Sequence, residues 1–357
     1  MYRQLAAGIV ACGIFQGALH AAEPPPIEQL ETFVVSGEQP GPGLWKVSKG
    51  DHVMWVLATY GPLPKDMTWR TRQVEERIAE SQEVLYGGNV NVAANIGLLR
   101  GLTLIPAALK AGKIPDGRTL KDVLSAETYA KWLALRLKYI GKDDDVERWR
   151  PSIALEQLRG AAVKKNGLSG GPNVFAVVGD LRKKHKVASN ALPNISRTVN
   201  VENPRGMLKS ASKLDMPDLD CFIRKLDTLE SDVERSRDLA NAWAQGNVGQ
   251  LRQLIHVRSR EESREELLQD SCAFVLMTAL EAGGSTDASR AKRTLDNVLW
   301  HAEQASVQSQ IDWVAAAQKS LQKNPSTFAL LSVADVLRSD GPLEKLRALG
   351  YSVEAPE

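Results

Sequence analysis

The stretch WKVSKGDHVMWVLATYGPLPKDMTWR, residues 45–70, decides how this chain folds. Leu44–Val47 and His52–Leu57 are short apolar runs, and Lys49-Gly50-Asp51 between them is turn chemistry, so the pair reads as a β-hairpin. The second strand runs into Ala58-Thr59-Tyr60-Gly61-Pro62, a tight turn, and then toward a helix. Thr71 stands where an N-cap belongs, and Val74 and Ile78 make one apolar face reaching Ser81. Val84-Leu85-Tyr86 follows as a strand stopped by Gly87-Gly88. Strand, loop, helix and strand within about 35 residues form a βαβ unit, expected to be parallel and right-handed.

The C-terminus repeats the arrangement. Thr327–Leu331 reads as a strand, Ser332–Gly341 as a loop and Pro342 as the first turn of a helix. Leu343, Leu346 and Leu349 supply its apolar face, Gly350 its stop, and Tyr351-Ser352-Val353 the closing strand. Both units place a loop at the carboxyl end of their first strand, where open α/β sheets bind ligands. Yet Ala58-Thr59-Tyr60-Gly61-Pro62 holds no histidine, carboxylate or cysteine.

Between the two units the pattern is helical. Leu219, Phe222, Leu226, Leu229, Val233, Ala240 and Trp243 fall largely at three- and four-residue steps, ending at Gly246. Asp218 and Asp220 begin that helix, where acids complement its dipole, and Arg182-Lys183-Lys184 reads as a basic helix end. Glu261–Glu266 and nearby arginines make a solvated face, and Ser196–Val201 reads as one further strand. The expected class is α+β: a mixed sheet built around the two βαβ units, with a large helical insertion between them. Residues 1–22 read as a signal peptide and 23–43 as a linker (Pro24-Pro25-Pro26) and first strand (Thr32–Val35). Residues 44–357 read as one domain: an N-terminal half 44–100, a helical middle 101–300 and a C-terminal half 301–357.

Composition is that of a soluble globular protein, 43% hydrophobic and 25% charged. A net charge of +2 gives no reason to expect nucleic acid as a partner. Arg3, the apolar or glycine run Leu5–Phe15 and the small residues ending at Ala21-Ala22 have the layout of a secretory signal, leaving a mature start near Glu23. That run is too short to span a bilayer, and no other stretch is long enough, so no transmembrane anchor is expected after cleavage. Ile9-Val10-Ala11-Cys12 has lipobox character, but Cys12 comes early and the apolar run continues past it. Two cysteines then remain, Cys221 and Cys272, which either pair in an oxidising compartment or lie as buried thiols.

Gly167-Leu168-Ser169-Gly170-Gly171 matches a nucleophile-elbow pattern, but an elbow needs a buried strand before it. Ala161–Asn166 looks like a helix end, so these glycines read as a loop between helices. Metal motifs of the HExxH, CxxC and EF-hand kinds are absent. His52, His185, His256 and His301 lie in separate elements without ligand spacing.

Several motifs, in order along the chain, resemble the TraB/GumN family of bacterial proteins, relatives of Tiki-type proteases and erythromycin-esterase-like proteins. They are Leu44-Trp45-Lys46-Val47, Leu63-Pro64 through Met67-Thr68-Trp69-Arg70, Leu120–Ser125 with Tyr129, Ala242–Asn247, Asp340–Leu343 and Leu349–Glu354. The resemblance implies metal-dependent hydrolysis, with a Gly-Thr-x-His turn falling on Ala58-Thr59-Tyr60-Gly61. Only Thr59 is kept, and the histidine position is Gly61. An acidic position falls at Gly87; a second histidine falls at Asp335, its glycine replaced by Ser332. An Arg-Asn pair falls on Ser309-Gln310, while Trp313 is retained.

A divalent metal needs imidazoles or carboxylates converging on one point. Asp335 and Asp66 are the weak candidates that remain; His52 begins its strand about 20 Å from the turn, at ~3.3 Å per residue. The expectation is a periplasmic or secreted non-catalytic relative of metallohydrolases, with no cofactor, that binds a peptide, glycan or protein partner. One alternative is a hydrolase with a rearranged, metal-bearing site using Asp335, Asp66 and Thr59 or Tyr60. Another is a structural or adaptor protein whose cleft is filled by Tyr60 and Tyr86.

Overall fold

The computed structural model describes residues 41–171, 173–255, 272 and 286–356. The signal segment, Pro24-Pro25-Pro26, Thr32–Val35, His256 and Glu261–Glu266 lie outside these residues.

The hairpin forms as read. Strands β1 (Leu44–Lys49) and β2 (His52–Thr59) pair antiparallel with Lys49 opposite His52, around Gly50 at φ +60°. After α1 (Arg72–Ala79) comes β3 (Glu83–Tyr86). Thr71 is not a side-chain cap: its backbone is already helical (φ −86°, ψ −5°), whereas a capping hydroxyl needs extended backbone to reach the first amides. Next come β4 (Val90–Asn95), α2 (Leu98–Ala111), α3 (Leu120–Val123), α4 (Ala126–Tyr139), α5 (Pro151–Lys165) and α6 (Val174–Lys184). They lead to β5 (Ala188–Ala191), β6 (Ile195–Asn200), α7 (Pro204–Ala211), α8 (Leu219–Ala244) and α9 (Val248–Leu254). The last elements are α10 (Thr286–Lys323), β7 (Ser326–Ser332), α11 (Val333–Leu337), α12 (Pro342–Ala348) and β8 (Ser352–Glu354).

The main sheet has six strands in the order β5-β3-β7-β2-β1-β8. Both βαβ units exist, but they interleave. Strand β7 lies between β2 and β3 and is parallel to both, while β8 pairs antiparallel with β1 at the edge. Central β2 and β7 read as near-continuous apolar runs because both of their faces are covered. Met54, Val56, Leu57, Phe328 and Ala329 are fully buried, each large side chain contributing about 1.5–3 kcal/mol. A second sheet pairs β4 with β6 in parallel, which places the expected strand at residues 196–201 one position earlier.

Two cores meet along α8. Its first half gives Phe222, Leu226, Leu229 and Val233 to a helical core with Trp132, Leu155 and Leu158 of α4 and α5. Its second half gives Leu239, Ala240 and Trp243 to the core of the main sheet. The Trp243 indole donates to the Ala58 carbonyl at 2.6 Å and meets Trp69 edge-on at 5.5 Å. Cys221 and Cys272 form a disulfide with Cα atoms 5.4 Å apart, which decides between the two readings of that pair.

Two C-terminal details differ from the sequence reading. Residues 333–337 of the expected loop are helix α11, because Ser332-Val333-Ala334-Asp335 is a capping sequence. Leu349 is 48% exposed rather than on the apolar face, since α12 ends at Ala348 and Gly350 then turns out at φ +82°.

Candidate functional site

The register of the central strands brings the two expected loops together. Thr59 and Ser332, the last residues of β2 and β7, are direct partners in a parallel ladder. From β2 the chain crosses toward β3; from β7 it crosses the other way, toward β8. Connections that leave neighbouring strands in opposite directions open a crevice at their carboxyl ends, the usual ligand position in such sheets.

The groups at that position are occupied by one another. Thr59 is buried and its Oγ1 donates to the Leu331 carbonyl at 3.0 Å. Tyr60 packs against the sheet core and its hydroxyl donates to the Ser236 carbonyl of α8 at 3.4 Å. Burial pushes the Tyr60 phenol up to about 12. Burial also raises Tyr86, opposed by the nearby Arg182 guanidinium. Gly61 precedes a cis proline and is exposed, and a Cβ built on it meets nothing within 4 Å. Gly87 is also exposed; a Cβ there would touch Trp313 Cδ1 at an ordinary 3.8 Å. Trp313 of α10 is buried and its indole donates to the Leu330 carbonyl at 3.2 Å.

Asp335 is held by its own helix and by α10. Its amide donates to Ser332 Oγ at 3.0 Å, and that hydroxyl donates back to Asp335 Oδ2 at 2.6 Å. Gln310 Nε2 donates to the other carboxylate oxygen at 3.0 Å, and Lys345 Nζ donates to Gln310 Oε1 at 3.2 Å. Each of the two Asp335 carboxylate oxygens thus accepts a protein hydrogen bond, and a charge-assisted cap of this kind resists recruitment as a ligand. Asp66 is exposed on the loop between β2 and α1.

These residues do not fit a divalent metal. Two of the positions where the resemblance expects donors have no side chain, and the third is a carboxylate engaged on both oxygens. Among the described residues no three His, Cys, Asp or Glu side chains are grouped to hold a metal ion.

The sequence reading brought Thr59, Tyr60, Gly61, Gly87, Ser332 and Asp335 to one end of the sheet and named Gln310 through the resemblance, but it missed Lys345 and the bond between Gln310 and Asp335. Gln310 sits three residues before Trp313 on α10, one helical turn along the same face, which is the signal that its side chain turns toward the strand ends. The glycine-rich loop also has a role. Gly171 lies so close to the Leu63 and Pro64 carbonyls that a Cβ would come within 2.3 Å, and Lys65 N donates to the Gly167 carbonyl at 2.7 Å. That loop joins two helices, α5 and α6, and it buttresses the β2–α1 turn. Asp218, at the start of α8 as read, also serves a second helix. It is fully buried, and its Oδ2 accepts from the Ser152 amide at 2.8 Å, capping α5 rather than its own helix. Among the described residues, a cavity of about 480 Å3 lies away from the strand ends, between Arg118, Asp122 and Val123 on one side and Asp215, Met216, Pro217 and Leu219 on the other.

The model of the TraB/PrgY/gumN family matches residues 43–355. No curated protein matches the chain. No solved structure matches it either.

Proposed function

The chain belongs to the TraB/PrgY/gumN family, and from that premise we propose that it is an exported, non-catalytic member that binds a peptide, glycan or protein partner at the strand-end crevice. One observation carries the reading. Gly61 and Gly87 present no side chain where the resemblance places donors, and Asp335 is committed to the cap of α11 and to Gln310. Loops at a switch point still offer a binding surface without catalytic groups. The disulfide supports an oxidising compartment and hence export.

The test is metal analysis of the purified mature protein, with Asp335→Ala as control. The proposal expects no stoichiometric tightly bound divalent metal in either form. A tightly held metal that disappears in the variant would establish the rearranged hydrolase site instead.

Burial of Tyr60 between β2 and α8 favours a second reading, a structural or adaptor protein whose crevice is filled. Under that reading Tyr60→Ala opens the crevice without weakening partner binding. Under the first reading the same change alters partner binding directly.

A further inference from the structure

Helix α2 is amphipathic in the wrong direction for a helix that only packs. Leu99 is 79% exposed, Leu102 56% and Leu109 37%, and Pro106 is exposed with them. At 3.6 residues per turn these four fall within an arc of about 80°. The opposite side carries Leu104 and Ala111, which are buried, the latter in a small cluster with Met207 and Ala211 of α7. The line of the helix farthest from the protein is therefore its most apolar line.

Along α2 itself the charge has one sign. Arg100 and Lys110 lie on α2 and are exposed, and Lys113 follows just beyond it. Arg205 of α7 reaches across to donate to the Thr103 carbonyl at 3.3 Å. Between Glu83 and Asp116 the sequence contains no acidic residue. Strand β6, which leads to α7, adds Arg197, and Glu202 between the two elements is paired with Arg293 at 3.1 Å.

We propose that the outward face of α2 is a docking surface for an anionic lipid bilayer, with Leu99, Leu102, Pro106 and Leu109 entering the headgroup–acyl boundary while Arg100, Lys110 and Arg205 meet lipid phosphates. An apolar stripe flanked by cations is how an interfacial helix binds such a membrane. The helix lies on the membrane and does not cross it: 14 residues rise about 21 Å, against about 30 Å of hydrocarbon. None of the described helices is long and apolar enough to cross a membrane. A second copy of the chain fits less well. A footprint of about 21 Å by about 10 Å, on the order of 200 Å2, falls far short of the ~800 Å2 per partner of a stable interface.

The experiment is co-sedimentation of the full chain with vesicles of phosphatidylcholine alone and of an equimolar phosphatidylcholine–phosphatidylglycerol mixture. Wild type is compared with the triple variant Leu99→Gln, Leu102→Gln, Leu109→Gln and with the pair Arg100→Gln, Lys110→Gln. All forms carry the same N-terminal segment, so differences among them report on α2. Wild type should bind the anionic vesicles roughly tenfold or more tightly than the neutral ones, with the preference shrinking as salt is raised. The leucine variant should lose about a hundredfold at unchanged melting temperature, and the cation variant should lose mainly the anionic preference. Wild type that stays in the supernatant with both vesicles, or a leucine variant that binds like wild type, overturns the proposal. So does concentration-dependent self-association of wild type that the leucine variant lacks, which would assign the stripe to a second copy.

Discussion

The carboxyl ends of β2 and β7 and the junction of α5 with α8 use polar residues in opposite ways. At the strand ends the topology is that of a site, yet the positions facing the crevice are Gly61, Gly87 and a cap made of Ser332 and Asp335. At the helix junction no sequence motif announces anything, yet two charged residues, Arg150 and Asp218, are fully buried. Arg150 donates to the carbonyls of Ala111 at 2.8 Å, Ala211 at 2.6 Å and Leu214 at 2.9 Å, tying the ends of α2 and α7 to the start of α5. Burial lowers its guanidinium from the usual range, opposed by the charges of Asp218 and Asp215. Its Nη1 and Asp218 Oδ1 have no protein partner. At the helix junction buried charge ties helices together, whereas at the strand ends the buried polar groups Thr59 and Gln310 bond to their neighbours.

That contrast is broken most directly at Arg150. Arg150→Ala removes the shared donor of three carbonyls, leaves Asp218 buried without its nearby cation, and should destabilise the protein by about 3–5 kcal/mol in urea unfolding. Arg150→Lys should recover only part of this, because an ammonium cannot reproduce the fork that spans three carbonyls. A loss below about 1 kcal/mol would show that the junction is no more demanding than an ordinary surface.

Next in size is the disulfide on the same helical side. It links residues 51 apart, and a closed loop of that length constrains the unfolded chain by about 4 kcal/mol. Cys221→Ser with Cys272→Ser should therefore lower the denaturation midpoint, and reducing agent should lower wild type alone.

On the strand-end side the largest effect belongs to Tyr60 and depends on pH. Its folded pKa is about 12 against about 10 when unfolded, so its contribution is intact below pH ~10 and is lost as pH rises toward 12. Two units at about 1.4 kcal/mol each give a loss of roughly 2–3 kcal/mol. Unfolding curves of wild type should fall more steeply over that window than those of Tyr60→Phe, and equal slopes would place the phenol in water.

The smallest effect sharpens the comparison. Neither Gly61 nor Gly87 has a positive φ, and both have room for a side chain. Gly61→His and Gly87→Asp should change stability by less than about 0.5 kcal/mol each, the range of surface changes. If the fold has kept the geometry of a metal site, that double variant, with Asp335→His, should gain zinc affinity by calorimetric titration.

Much of the sheet was legible because its strands carry local signals. The hairpin turn Lys49-Gly50-Asp51 and the apolar runs at β2, β3 and β7 identify themselves. The order of strands does not, since nothing local in Ser326–Ser332 says that it enters between β2 and β3. Strands β4 and β5 escaped reading because Asn91, Asn95 and the exposed ASNA segment of β5 lack an apolar run. At the site, absence was legible and engagement was not. Gly61 and Gly87 show themselves in the sequence, whereas the bond from Gln310 to Asp335 depends on where α10 comes to rest. The role of Arg150 was equally hidden, because its three acceptors are backbone atoms scattered along the chain.

The position of β7 has a consequence for how the protein is made. The strand at the middle of the main sheet is synthesised long after β2 and β3, and its register pairs Val53 with Ser326. Until it arrives, β2 and β3 have no common neighbour, and contacts of such sequence separation form slowly because a long loop must close first. A nascent chain therefore completes its hairpin early but holds the heart of the sheet open, with apolar β2 exposed to other chains. Removing the C-terminal segment from β7 onward would take away the centre of the sheet rather than trim its edge. It would leave a long polypeptide with two cores begun and only the helical one able to finish.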